Sequence, residues 1–178
     1  GGGNTVVENN LVVDNDTPNF APKGNIVAGV PRGTGVMVMA NEMVAVRGNV
    51  LANNPTGQVM VVSYPNAFTD KRYNPYPRRI VVGPNQIIGG GNDPQLPGGD
   101  QLKAAFGGAL PPVLWDGLGG PDAIIGGQKL AGLSLNLPQQ GASPMMAKPA
   151  PFELNAALIV PTPDKVGAPA ALEARIAR

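Results

Sequence analysis

Residues Gly35–Asn54 read GVMVMANEMVAVRGNVLANN, and this stretch decides the fold. It divides into three short strands separated by two tight turns, the second at Gly48-Asn49. Val is well suited to a pleated, half-buried surface, whereas Gly and Asn tolerate the left-handed backbone that a sharp corner demands. Alternation within each run sends about every second apolar side chain to one face.

Working outward, the same pattern recurs. Thr5–Asn15 runs TVVENNLVVDN and superposes position by position on Val44–Asn54, VAVRGNVLANN; a third copy, IVVGPNQIIGG, begins at Ile80. Asn10, Asn49 and Asn85 fall at the same place in each copy, at a two-residue turn between a β-branched triplet and a second short strand. An amide there can bond the backbone and the amide of the next copy, so these three are read as a structural turn ladder. Val36–Met39 and Val59–Val62 supply the third strand, each preceded by a glycine, and Gly35 and Gly57 are 22 residues apart. The Asn copies are 39 and 36 residues apart, and the excess is assigned to two loops, Asp16–Thr34 and Pro65–Arg79, both rich in Pro and Asn. A repeat of this type buries its apolar face only by stacking on its neighbours. The pattern therefore predicts an all-β fold, a right-handed parallel β-helix solenoid of about three coils with two long loop insertions over residues 1–92. An irregular C-terminal cap and tail with short helices is expected over 93–178.

Within that second part, Gln101–Phe106 is read as a short helix with Leu102, Ala105 and Phe106 on one face, and Pro111–Trp115 as part of a cap over the open end. Leu133–Leu137 alternates like an edge strand, Leu154–Val160 like a second, and Pro169–Arg178 has the Pro start and Arg end of a short helix.

Composition removes several function classes. The 13 basic and 12 acidic residues balance, which gives no electrostatic reason for a nucleic-acid partner or an anionic membrane. With no Cys and no His, disulfides, thiolate metal sites, His-based zinc sites and Ser/His triads are impossible. No apolar run approaches the roughly 18 residues of a membrane span. Gly (25) and Pro (20) together make about a quarter of the chain, so its regular structure must come from the Val-rich runs.

The stretch Asn15–Ala40 matches a motif of the form NxTPNFAPKGNIVAGVPxGTGxMVMA, and NPYPR at 74–78 and FGGALPPVLWDG at 106–117 match further segments. In these the chain resembles a group of bacterial right-handed parallel β-helix repeat proteins, over roughly its first two thirds. The resemblance implies the C-terminal portion of a secreted or periplasmic protein, with earlier coils and an export signal outside this chain. It implies that those coils, or another protein chain, stack on the Gly1 end. Some members of that group are encoded beside a c-type cytochrome, which the resemblance makes a candidate partner.

Asp70, Lys71, Arg72 and Tyr73 form the most polar cluster, and Tyr76, Arg78 and Arg79 follow it. A lyase or epimerase acting on a uronic acid needs a cation for the carboxylate, a base for the C5 proton and an acid for the leaving oxygen, and these types could supply them. A solvated loop carries the same types, so the four are candidate catalytic residues only. Arg32, Tyr76, Arg78, Arg79 and Trp115 are candidate binding residues, with Trp115 and Phe106 offering a sugar-stacking face or the packing of a cap. Asp14, Asn15, Asp16 and Asn19 present oxygens of the Ca²⁺ type but lack a calcium-loop spacing and read as Asx turns, so no metal is expected. The glycines at 33–35 and 89–91 read as corners and not phosphate loops, and Met37, Met39, Met43 and Met60 as packing and not as a haem or copper stripe, so no cofactor is expected. The expected function is a non-catalytic extracytoplasmic module that binds a glycan or a protein, or a structural subunit of an envelope assembly. The alternative is a polysaccharide lyase or epimerase.

Overall fold

The computed structural model describes residues 2–66, 69–138 and 148–155. In chain order its strands are β1 (Gly3–Glu8), β2 (Leu11–Val13), β3 (Thr34–Met39), β4 (Glu42–Arg47), β5 (Val50–Ala52), β6 (Gly57–Val62), β7 (Ile80–Val82), β8 (Gln86–Ile88), β9 (Val113–Trp115), β10 (Ile124–Gly127), β11 (Leu130–Ser134) and β12 (Ala150–Leu154). One α-helix, α1 (Gly99–Ala105), lies between β8 and β9. The strands form three sheets, ordered β1-β4-β7-β10, β2-β5-β8 and β3-β6-β9-β11-β12. Every pairing is parallel except β11 with β12.

The internal copies pair in the register their spacing dictates. Thr5 lies beside Val44 and Leu11 beside Val50, whereas Val46 lies beside Val82 and Leu51 beside Ile87. Like residues therefore stack on like, and a slip of one residue would turn every buried Val outward. Val44, Val46, Leu51, Val59, Val61, Ile80, Val82 and Val113 from all three sheets meet in one core. Burying each such side chain contributes roughly 1.5–3 kcal/mol, set against the conformational entropy lost by ordering the chain.

A second core lies on the opposite face of the five-stranded sheet. Met60, Leu114 and Leu133 point there, and Leu102 and Phe106 pack onto them from α1 and its end. Asp100 in the first turn of α1 and Lys103 in its last suit the helix dipole, and Gly98 at φ 74° turns the chain into the helix.

These observations correct the expected fold class. The right-handed parallel β-helix of about three coils, followed by an irregular cap with short helices, is replaced by three open and mostly parallel sheets with a single α-helix and one 3-10 turn, Ile26–Gly29, among the described residues. The physical reason lies after residue 92, where Val113–Trp115, Ile124–Gly127 and Leu130–Ser134 find parallel partners on sheets built by the earlier copies. These short apolar runs look irregular amid Gly and Pro, yet they gain ladder hydrogen bonds and burial only by joining those sheets. Likewise α1 covers a sheet face and not an open end. Leu133 lies within β11, an internal strand, while the edge belongs to β12. Gly35 and Gly57 are not equivalent either: Thr34 pairs with Gly57, an offset of 23. The expected strand Leu154–Val160 overlaps β12 only at Leu154; residues 156–160 and the terminal helix at 169–178 lie outside the described residues.

Candidate functional site

The loop leaving β6 returns to the start of β7 through side chains that bond backbone. Asp70 Oδ1 accepts the N–H of Arg72 at 3.0 Å and Asn74 Oδ1 that of Tyr76 at 2.9 Å, both Asx turns. The N–H of Tyr64 reaches Pro75 O at 2.8 Å and fastens the loop to its root. The chain then meets the beginning of β4: Arg78 donates its N–H to Asn41 O at 3.0 Å, and Met43 donates to Arg78 O at 2.9 Å. Glu42 and Arg78 thus stand side by side in a parallel bridge.

Their side chains meet as well, Arg78 Nη2 donating to Glu42 Oε2 at 2.7 Å. That hydrogen bond, chiefly, holds the Glu42 carboxyl below its ordinary value; slight burial opposes it, and the charges of Arg78 and Arg79 assist. Arg78 Nη1 is buried without a hydrogen-bond partner among the described residues. Together with Gly2, Gly3, Ala40, Arg72 and Asn74, this pair lines a polar hollow of about 150 Å³.

Arg72 grips Asp70 with two parallel bonds, Nε to Oδ1 at 3.1 Å and Nη2 to Oδ2 at 3.0 Å. Hydrogen bonds from Arg72 lower the Asp70 carboxyl and the same contact raises the guanidinium, so both stay charged. Tyr73 donates its hydroxyl to Tyr64 O at 2.8 Å, and burial pushes its phenol up. Lys71 is exposed at a turn.

Of the expected site residues, the structure brings Arg72 and Arg78 to one hollow, with Asp70 held behind Arg72. Tyr76 is half-buried and Arg79 exposed, its N–H bound to Asp122 O at 2.7 Å. Arg32 stands elsewhere, bridging Asp16 and Asp93 and so tying the first loop to the segment after β8. That bridge engages one of the acidic residues weighed as a calcium ligand. Trp115 sits at the other end of the sheets; its Nε1 donates to Leu118 O at 2.9 Å and its ring meets Phe152 edge-on, centroids 6.1 Å apart. The ladder residues are joined directly, Asn10 to Asn49 and Asn49 to Asn85.

Glu42 and Asn74 were not read from sequence as site residues. For Glu42 a signal existed: it precedes Arg78 by 36 residues, the interval separating Asn49 from Asn85, so the repeat alone sets the two side by side. The interval of 39 likewise pairs Glu8 with Arg47, at 3.0 Å, and Asn15 with Asn54, at 2.8 Å.

In comparisons with known proteins, no family model, no curated protein and no solved structure matches this chain. Among the described residues no helix is long and apolar enough to cross a membrane.

Proposed function

We propose that this chain is a non-catalytic, extracytoplasmic module that binds a carboxylated sugar of an acidic glycan in the hollow between Arg72 and Arg78. One observation carries the reading: three side chains lining a single hollow keep donors that no described residue engages. They are Arg72 Nη1, Arg78 Nη1 and Asn74 Nδ2; Arg72 Nε and Nη2 are taken by Asp70, Arg78 Nη2 by Glu42, and Asn74 Oδ1 by the N–H of Tyr76. Two guanidinium groups and an amide offering donors to one hollow suit an oxygen-rich anionic ligand, and guanidinium matches carboxylate by its fork geometry. The volume is below the roughly 300 Å³ at which drug-sized ligands are enclosed, so the hollow takes the charged group of one sugar and leaves the remaining chain outside.

Binding without turnover is the better reading of the same residues. A lyase would require Asp70 or Tyr73 as base or acid, yet both Asp70 oxygens are engaged by Arg72, and the Tyr73 hydroxyl donates to Tyr64 O. The extracytoplasmic setting, and kinship with the repeat-protein group read from Asn15–Ala40, belong to this proposal.

The test is titration calorimetry with uronate trimers from pectate, alginate and glycosaminoglycan, beside a neutral trisaccharide. At least one acidic trimer should bind, more weakly as salt rises, and Arg78→Ala should weaken it at least tenfold with the melting profile retained. Equal binding of the neutral sugar, or no effect of Arg78→Ala, overturns the assignment. Release of unsaturated uronate, followed by ultraviolet absorbance, would overturn its non-catalytic part.

A further inference from the structure

The Asn ladder has a direction. Asn49 gives its backbone N–H and its Nδ2 to Asn85 Oδ1, both at 3.0 Å, and Asn10 gives the same two donors to Asn49 Oδ1 at 3.0 and 2.9 Å. Asn85 continues the order by giving its N–H to Gln128 Oε1 at 2.7 Å. At every step the backbone donor belongs to the earlier residue and the amide oxygen to the later one. A second ladder repeats this: Asn15 gives its N–H and its Nδ2 to Asn54 Oδ1, at 3.3 and 2.8 Å.

Both ladders therefore end at the β1–β2 edge on amide oxygens. Asn10 Oδ1 and Asn15 Oδ1 accept from no described residue, although their counterparts Asn49, Asn54 and Asn85 each accept at that atom. Beside these oxygens run the outer edges of β1 and β2, with which no described strand pairs, and Leu11 is 72% exposed. A groove of about 490 Å³ adjoins the same edge, walled by Asn15, Phe20, Val27 and Val30, with Phe20 90% exposed.

We infer that this edge docks a polypeptide of a partner protein, a strand–corner–strand segment lying parallel to β1 and β2 with its corner backbone N–H over Asn10 Oδ1. Parallel alignment follows from the ladder, because an antiparallel strand would not bring a corner donor above that oxygen. The groove then receives an apolar side chain from beyond the partner's second strand. A second copy of this chain does not meet the requirement. Head to head, the two edges would set amide oxygen against amide oxygen. Head to tail, the matching corner donor at the other end, the N–H of Gln128, is engaged by Val82 O at 3.0 Å, and the five-stranded sheet ends there in antiparallel β12. The proposal is independent of the glycan hollow, which lies at the other end of β1.

The test uses the full chain and a synthetic peptide of the sequence VAVRGNVLANN, the segment that occupies this relation to β7 and β8 in the protein itself. The probes are that peptide and a version N-methylated at its corner Asn, labelled for fluorescence anisotropy. Saturable binding of the parent, weakened at least tenfold both by N-methylation and by Asn10→Ala in the protein, is the expected result. Circular dichroism of Asn10→Ala guards against misfolding, and Asn10→Asp, which keeps an acceptor oxygen, should retain more binding than Asn10→Ala. Absence of parent binding, or indifference to the methyl group, overturns the inference. So does sedimentation showing that the chain self-associates through this edge, an association lost on adding charge at Leu11.

Discussion

Asn49 places its side-chain nitrogen within 2.9 Å of Val7 O, 2.9 Å of Arg47 O and 3.0 Å of Asn85 Oδ1, so one buried amide knits three neighbouring strand ends together. Its oxygen meanwhile accepts two donors from Asn10. This is a fully engaged polar group at 1% exposure, in a place where an apolar residue of similar size would leave several backbone groups bare.

Replacing Asn49 by Ala is therefore costly. The N–H of Asn10 and the carbonyls of Val7 and Arg47 lose their partner, and each stranded group costs about 1–3 kcal/mol if it stays dry. We expect Asn49→Ala to lose about 3 kcal/mol in urea unfolding, and Asn10→Ala, at the exposed end, under about 1 kcal/mol. Equal losses would show that the ladder is not cooperative along its length.

Gly127 gives a steric counterpart. Its φ is 145°, and a methyl group built there would lie within 2 Å of Val82 O, the backbone of the neighbouring strand β7. Backbone cannot yield as a side chain tip can, so Gly127→Ala should cost at least about 2 kcal/mol and release β10 from the sheet. Hydrogen exchange checks the localisation: amides around Gly126 and Gln128 should lose protection well before Ala45 and Val46.

How far the sequence was legible follows from these two residues. Asn49 was visible because the three copies repeat, and the intervals 39 and 36 then became the actual strand registers. The same arithmetic contained the Glu42–Arg78 pair, since both residues sit in the repeat frame. Gly127 was not visible. Its strand, IIGG, carries no copy of the pattern and joins β7 with a bulge between Ile124 and Gly126, so only the surface of β7 makes it a strand. The same holds for β9 and β11, short apolar runs among glycines that carry no copy of the repeat: β9 pairs with β6, whose Val59 lies opposite Val113, and β11 in turn pairs with β9, whose Val113 lies opposite Gly132. Loop chemistry lay between these extremes: Arg72 and Arg78 were recognised by type, but that they share a hollow depends on two Asx turns.

Asp116 predicts an acid-side effect of unusual sign. The carboxylate is 5% exposed and accepts the N–H of Ser63 at 2.6 Å and of Leu118 at 2.9 Å. Burial raises its pKa above the ordinary 3.8 despite those bonds. A raised native pKa means that the folded chain binds more protons than the unfolded chain between 3.8 and the native value, so in that window stability falls as pH rises. Asp116→Asn should flatten this component of the stability curve. It should also cost about 1–3 kcal/mol near neutrality, because its amide nitrogen would face one of the two N–H donors. Urea midpoints measured across the acid range for both proteins decide it; an unchanged slope in Asp116→Asn would assign the effect to another group.

Glu42 has the opposite sign and carries the functional reading. Arg78 holds its carboxyl below the ordinary 4.5, so the stability it contributes is present above that value and is lost as pH falls through the lower native pKa. With side chains 33% and 40% exposed, solvent screens the pair, and its contribution is expected to stay below about 1 kcal/mol. Glu42→Gln should therefore barely shift the melting temperature. Its effect on ligand is larger, because Arg78 Nη2 then loses its anionic partner and becomes a further donor in the hollow. Uronate binding should tighten severalfold in Glu42→Gln and should collapse in Arg78→Ala, whereas a purely structural pair would leave affinity unmoved in both. Calorimetric affinities of the parent, Glu42→Gln and Arg78→Ala proteins, compared near neutral pH, decide it.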